Sequence, residues 1–209
     1  MSASVSLTRP GSSALDEETA RAELYGVLSQ LYYAPPSPEL LSALRVAVTE
    51  APMEGGFLQE PWQQLVAAAR AQDDVAIAAK YDRLFGGVGK PEVFVYASHY
   101  LAGFLNEKPL ARLRTSLDRL GLARGDTMPE TEDHVAYLCE VMRYLIAGDD
   151  MAVCNLTAQR DFFAEHIQPW LPAMCNALEQ HPAASFYAAV ARLTRAFAAV
   201  EAQGFDMLD

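Results

Sequence analysis

The chain is poor in the residues that usually carry metal and redox chemistry. It has three cysteines, Cys139, Cys154 and Cys175, and four histidines in 209 residues. An odd count with no Cys-x-x-Cys spacing supplies neither a disulfide framework nor a zinc knuckle. Each cysteine lies in an apolar helical context and is expected to be a buried free thiol. The histidines, His99, His134, His166 and His181, are scattered. No glutamate has a histidine three places on, as carboxylate-bridged di-iron bundles require, and His-Glu-x-x-His is missing. No Gly-x-Ser-x-Gly elbow marks a serine hydrolase. The run Gly86-Gly87-Val88-Gly89-Lys90-Pro91 is not a Walker phosphate cradle, because Leu84 and Pro91 stand where that motif needs Gly and Ser or Thr. No catalytic residue, metal or cofactor is expected.

Positive charge is also scarce. Sixteen Lys and Arg face 27 Asp and Glu, for a net charge of −11. That argues against general nucleic-acid binding, disfavours docking on anionic lipid, and suits a partner with a basic segment. No apolar run approaches the ~20 residues that span a bilayer. Residues 1–13 are small and polar around a lone Arg9, with no apolar stretch of the signal-peptide kind. They are expected to be a disordered tail on a cytoplasmic protein.

What is abundant is helical periodicity. A first helix is expected from about Leu15 to Tyr33, with Ala20, Leu24, Val27, Leu28 and Leu31 inward and Pro35, Pro36 and Pro38 ending it. The next begins near Pro38 with Leu40, Leu41, Leu44 and Val48. Pro61 leads a third, with Trp62, Leu65, Val66 and Ala69 inward. Asp73 opens a fourth through Tyr81, Leu84 and Phe85. Val93-Phe94-Val95-Tyr96 alone fits a strand, but the continuation has helical spacing, so 93–105 is assigned to helix. Pro109–Leu120, Val135–Ile146, Met151–His166, Pro169–Gln180 and Pro182–Gln203 follow. The expected class is all-α: one helical domain over 14–209, of about nine or ten helices. A hinge-like linker at 121–127 would allow two helical subdomains joined near 121–130.

Ionisable residues crowd into one place, Met128-Pro129-Glu130-Thr131-Glu132-Asp133-His134. Thr127 with Glu130 fits a capping box, with Pro129 in the first turn and the acidic residues at the positive end of a helix dipole. Capping alone accounts for most of this segment. It does not require the Asp133-His134 pair, which makes the pair the candidate site.

Glu130-Thr131-Glu132-Asp133-His134 resembles the Glu-Pro-x-Asp-His signature of the TorD/DmsD/NarJ group of redox-enzyme maturation chaperones, with Thr131 in the place of the proline. Arg21 to Pro36 is similar to that family's opening helix, Tyr81-Asp82-Arg83-Leu84-Phe85 to its Tyr-x-x-Leu-Phe motif, and Tyr96 to Tyr100 to the segment that follows. Phe162-Phe163 through His166, Pro169-Trp170 and Phe186-Tyr187 resemble its last third. The resemblance implies an all-helical cytoplasmic chaperone without enzymatic activity. Such a protein would bind the twin-arginine leader, the body, or both, of a molybdenum-cofactor oxidoreductase subunit. It would assist cofactor insertion and folding, and then permit export or assembly. Homodimers by domain swapping are known in the family, and no stable membrane insertion is implied. Glu130, Glu132, Asp133 and His134 become the expected leader-binding motif, and Tyr81, Leu84, Phe85, Tyr96, Ser98 and Tyr100 further client-binding candidates. For the aromatics, core packing is the competing reading. Two other functions compete: a helical enzyme using His134 with Asp133 or Glu130 as an acid–base pair, and a helical interaction or regulatory domain. If the motif contacts the client, Asp133→Asn and His134→Gln should keep the fold, and Arg124→Ala should do little.

Overall fold

Prolines and short polar caps divide the chain. A computed structural model describes residues 12–49, 58–86, 90–105, 107–125 and 128–207. Among them are ten helices and no sheet: α1 (Ser12–Tyr33), α2 (Pro38–Val46), α3 (Gln59–Arg70), α4 (Asp74–Phe85), α5 (Ala97–Ala102), α6 (Lys108–Arg119), α7 (Val135–Ala147), α8 (Leu156–His166), α9 (Leu171–Gln180) and α10 (Phe186–Asp206). The all-α expectation holds. Ser37, Asp73 and Asn155 each accept a backbone N–H of the helix they precede, at 3.2, 2.7 and 3.0 Å, satisfying donors that a helix start leaves open. Proline stands in the first turn of α2, α6 and α9, where it has no N–H to lose. The expected loop at 52–56, most of the tail at 1–13, Gly87–Gly89 and Asp126–Thr127 lie outside the described residues. Ser12 and Ser13 belong to α1.

α1 lies along α7, while α10 is wrapped by α9 and α3. One continuous hydrophobic core takes side chains from both sides of the 121–127 linker, because α1 and α7 flank it in sequence and touch in space. Trp170, Tyr32, Tyr187, Phe163 and Phe186 are its largest fully buried members. The three cysteines are free and buried, and burial raises the Cys139 and Cys175 thiols, so they act as small apolar groups.

Four local expectations need correction. The buried face of α1 is turned relative to the expected stripe: Ala20 is exposed, while Ala22, Tyr25, Leu28, Ser29, Leu31 and Tyr32 are buried. The tyrosines can face inward because their hydroxyls find buried partners, Glu201 for Tyr25 (3.1 Å) and Thr194 for Tyr32 (3.0 Å). Val48 lies past the end of α2 and is exposed. Val93–Tyr96 is not helical, for a reason given below. α8 and α10 begin four to five residues later than expected, at the Asn155 cap and after Ser185, whose φ is 33°.

A buried polar seam joins α1, α8 and α10. Arg21 forks onto both oxygens of Glu201 at 2.7 and 2.8 Å and reaches Gln159 at 3.2 Å. Glu201 is 4% exposed. Gln159 in turn donates to the Leu145 carbonyl at the end of α7. Removing one partner leaves the other desolvated and unpaired. Glu201→Ala is therefore expected to lower the unfolding free energy by roughly 3 kcal/mol in urea denaturation. The double variant Arg21→Met/Glu201→Leu should cost clearly less than the single one. A single-variant loss below about 1 kcal/mol would contradict the seam's role.

Candidate functional site

Two stretches far apart in sequence meet at the motif. Val95 and Ala97 pair with Val135 and Asp133 through Val135 N–H to the Val95 carbonyl (2.8 Å) and Ala97 N–H to the Asp133 carbonyl (3.0 Å). Tyr96 and His134 form one antiparallel bridge. This is why 93–96 is extended: its backbone groups are satisfied by a partner some 40 residues on, a pairing that local spacing does not reveal.

Asp133, 1% exposed, is saturated. One carboxylate oxygen accepts both the Ser98 N–H (2.9 Å) and the Ser98 hydroxyl, and the other accepts the Thr131 hydroxyl (2.6 Å). Ser98 is the second residue of α5, so Asp133 caps that helix from a distant part of the chain. His134, 3% exposed, caps the next one: its Nδ1 accepts the Ala136 N–H at 3.1 Å, at the start of α7. The accepting Nδ1 places the proton on Nε2. The rings of Tyr96 and Tyr33 meet the imidazole edge-on, at 5.0 and 6.3 Å. Burial pushes His134 down to about 4, against the pull of Glu130 and Asp133, so the ring is neutral. The capping-box reading is thus corrected. Thr127 lies outside the described residues, Pro129 and Glu130 precede the helix, and the cap is His134. The Glu130 carboxylate instead accepts the Tyr96 hydroxyl. Glu132 lies under Arg114 (2.9 and 3.1 Å) and Arg124 (3.8 Å). Burial pushes its carboxyl up, but the Arg114 hydrogen bond, a backbone hydrogen bond and the charges of Arg114 and Arg124 together outweigh that and hold it below the ordinary range.

The further candidates separate. Leu84 and Ser98 are fully buried. Tyr81, half-buried, donates to the Tyr33 carbonyl at 2.7 Å and so ties α4 to the end of α1 beside His134. Phe85 packs with Tyr81 against Tyr187. Tyr100 lies apart from this group, its hydroxyl on the Phe94 carbonyl (2.8 Å) and its ring stacked on Trp170. The structure therefore gathers Tyr81, Tyr96, Glu130, Asp133 and His134, and leaves Phe85 and Tyr100 as packing.

Sequence reasoning missed the surface next to them. A groove of about 300 Å³ is lined by Tyr33, Met128, Ala136, Tyr137 and Glu140, among others. Its lining surface is almost wholly apolar, although Ser29, Gln30 and Glu140 are among the lining residues. Tyr137 and Glu140 stand one turn apart on α7, a spacing that marks a shared face.

This geometry belongs to a recognisable group. A family model described as nitrate reductase delta subunit matches residues 56–176. The chaperone protein TorD of Vibrio cholerae serotype O1 (strain M66-2) is 31% identical over 193 aligned residues, covering 85% of this chain and 88% of that protein. TorD of Aliivibrio fischeri is 27% identical, covering 85% and 90%. TorD of Shewanella loihica is 26% identical over 220, covering 94% and 98%. The chain belongs to the TorD-like family of redox-enzyme maturation chaperones. It is a chaperone rather than a catalyst. The acid–base alternative also lacks a geometry. Both oxygens of Asp133 are occupied, His134 Nδ1 is committed to a cap, and both side chains are buried. No helix among the described residues is long and apolar enough to cross a membrane.

Two expectations about variants change. Asp133→Asn replaces an acceptor with an amide donor facing Ser98 or Thr131, which should cost about 1–3 kcal/mol and lower the melting temperature. Arg124 is no neutral control, because it donates to the Met128 and Glu130 carbonyls at 2.7 and 3.2 Å. His134 also sets a pH dependence. Its folded value, about 4, lies below the ordinary 6.5, so the unfolded chain takes up the proton first. The stabilising contribution is full above pH 6.5 and is lost as pH falls toward about 4, reaching roughly 3 kcal/mol. His134→Asn keeps a capping acceptor but does not titrate. Urea unfolding from pH 7 to pH 4.5 should therefore show a shallower loss for His134→Asn than for wild type, and parallel losses would contradict the assignment.

Proposed function

We propose that this chain is a cytoplasmic chaperone dedicated to a molybdenum-cofactor oxidoreductase subunit. It binds the twin-arginine leader of that subunit, and its body as well, assists cofactor insertion and folding, and then permits export or membrane assembly. One observation carries the reading: an apolar groove with Glu140 among its lining residues lies directly beside the motif, in a chain of net charge −11.

A leader of this kind joins a basic n-region to an apolar h-region. The apolar part is matched by Tyr33, Met128, Ala136 and Tyr137. The arginines are matched by Glu140, half-exposed and held by Arg143 at 2.8 Å in the free chain, and by Glu130. A guanidinium from the leader exchanges with Arg143 for Glu140 at little cost, since exposed pairs of this kind are worth ~1 kcal/mol or less. In this account Glu132, Asp133 and His134 do not touch the leader. They are positioning residues that set the start of α7, and with it Ala136, Tyr137 and Glu140. Tyr81, Leu84 and Ser98 support the same corner from behind.

Calorimetry with a synthetic twin-arginine leader peptide tests this. Binding is expected at low ionic strength, weakening as salt is added. Replacing both leader arginines by glutamine, Tyr137 by alanine, or Glu140 by lysine should each weaken it at least tenfold. Val75→Ser, on the exposed side of α4, should leave it unchanged. No binding at low salt would overturn the leader assignment, and binding indifferent to Glu140→Lys would overturn the groove.

A further inference from the structure

One side chain in the groove between α1 and α7 is out of keeping with its surroundings. Tyr33 meets the His134 ring just before α7. Two turns back along α1, a Cβ on Gly26 would come within 3.2 Å of Arg143 Cδ, toward the other end of α7. The two helices therefore run antiparallel, and Ser29 comes level with the stretch between Ala136 and Glu140. Ser29 lines the groove with them and is 6% exposed. Among the described residues its hydroxyl makes no hydrogen bond. It does not even take the carbonyl one turn back, as Thr115 and Thr194 do on their own helices. Nor is it among the side-chain atoms sealed from solvent. What remains of its surface opens on the groove. A hydroxyl at this depth has lost most of its water and gained no partner. Alanine would be the better helix former here and would leave nothing unpaired. Stability gives no reason for the serine.

We propose that Ser29 is a specificity-determining residue of the groove: its hydroxyl pairs with a neutral hydrogen-bonding group that the leader brings in among its apolar residues. The inference rests on the leader reading and names what the groove requires of its ligand. The group is neutral because the lining around Ser29 is almost wholly apolar. A charge carried to that depth would give up its water for a single hydroxyl. The leader's charges are met instead by Glu140, which is half-exposed. Main-chain amides and Ser or Thr hydroxyls share the required chemistry, and a serine hydroxyl can both donate and accept. An uninterrupted apolar helix offers neither, since its amides are bonded internally. Seated in the groove, it would leave Ser29 desolvated and unpaired. Ser29 therefore selects against purely apolar helical segments, which hydrophobicity alone would admit.

The test is calorimetry on the full-length chain, with the synthetic twin-arginine leader at low ionic strength. Ser29→Ala should weaken leader binding about fivefold, the worth of one neutral hydrogen bond. Its melting temperature should stay at or above that of wild type, because the hydroxyl has no partner in the free chain. Ser29→Cys keeps the size but hydrogen-bonds poorly, and should lose as much binding. Two series of leader peptides locate the partner group. One replaces single main-chain amides by esters, and the other replaces each Ser or Thr by Ala. The partner is the group whose loss weakens binding to wild type yet costs Ser29→Ala nothing further. A hit among the esters assigns the main chain, and a hit among the alanines assigns a side chain. Four results would each overturn the proposal and leave the leader reading intact: Ser29→Ala binding within twofold of wild type, wild-type affinity in Ser29→Cys, a melting temperature of Ser29→Ala several degrees below wild type, or no leader group coupled to Ser29. No leader binding by the wild-type chain would remove both.

Discussion

Asp133 is a buried carboxylate that makes no ion pair among the described residues. Its partners are hydrogen-bond donors: the amide and hydroxyl of Ser98 and the hydroxyl of Thr131. A buried charge without such partners would be expelled or neutralised. With them, it becomes the pin that holds the start of α5 against the start of α7. The neighbouring His134 completes the joint by capping α7 with a neutral imidazole. The two residues of the motif thus serve two helices, and the backbone bonds between 95–97 and 133–135 close the corner. The groove depends on it, since Ala136 and Tyr137 follow directly from the cap.

The same logic recurs away from the motif. α10 enters the core almost surrounded by apolar side chains, and yet carries Thr194 and Glu201 inward. Each is answered from α1, by Tyr32 and by Arg21 with Tyr25. Polar pairs inside a helical bundle add modest net stability but fix register, because only one alignment satisfies them. In this chain they fix α1 against α10, while α7 reaches α8 and the Arg21 seam through Gln159. The corner that carries the motif is therefore built on a rigid frame.

Much of this was legible in the sequence, and the failures have physical causes. Helices α2, α4, α6 and α7 announce themselves by proline, an Asp cap and clean 3.6-residue stripes, and the structure places them within a residue or two. The buried face of α1 was misjudged because apolar character alone was counted, whereas Tyr25 and Tyr32 enter the core by way of hydroxyl partners on a helix 160 residues or more away. Val93–Tyr96 was misread because its strand partner is remote. At the motif, the mechanics are hidden from the sequence. Histidine is an uncommon cap, so Thr127 and Glu130 looked like the better start. That Asp133 caps a different helix from the one it precedes follows only from tertiary structure. The apolar groove leaves almost no trace in the sequence, since Tyr33, Met128 and Tyr137 come from three separate stretches.

The central claim is that Asp133 and His134 act by joining two helix starts. Native-state hydrogen exchange reads that joint directly, through the amides of Ala97, Ser98, Val135 and Ala136. In the wild-type chain these four should be protected together, close to the level of the core amides of α7. In Asp133→Asn, protection at all four should fall together, by at least tenfold, while the amides of α9 and α10 stay near their wild-type values. If the four amides exchange independently, or if Asp133→Asn leaves Val135 and Ala136 as protected as before, the motif is not a joint and this account of it is wrong.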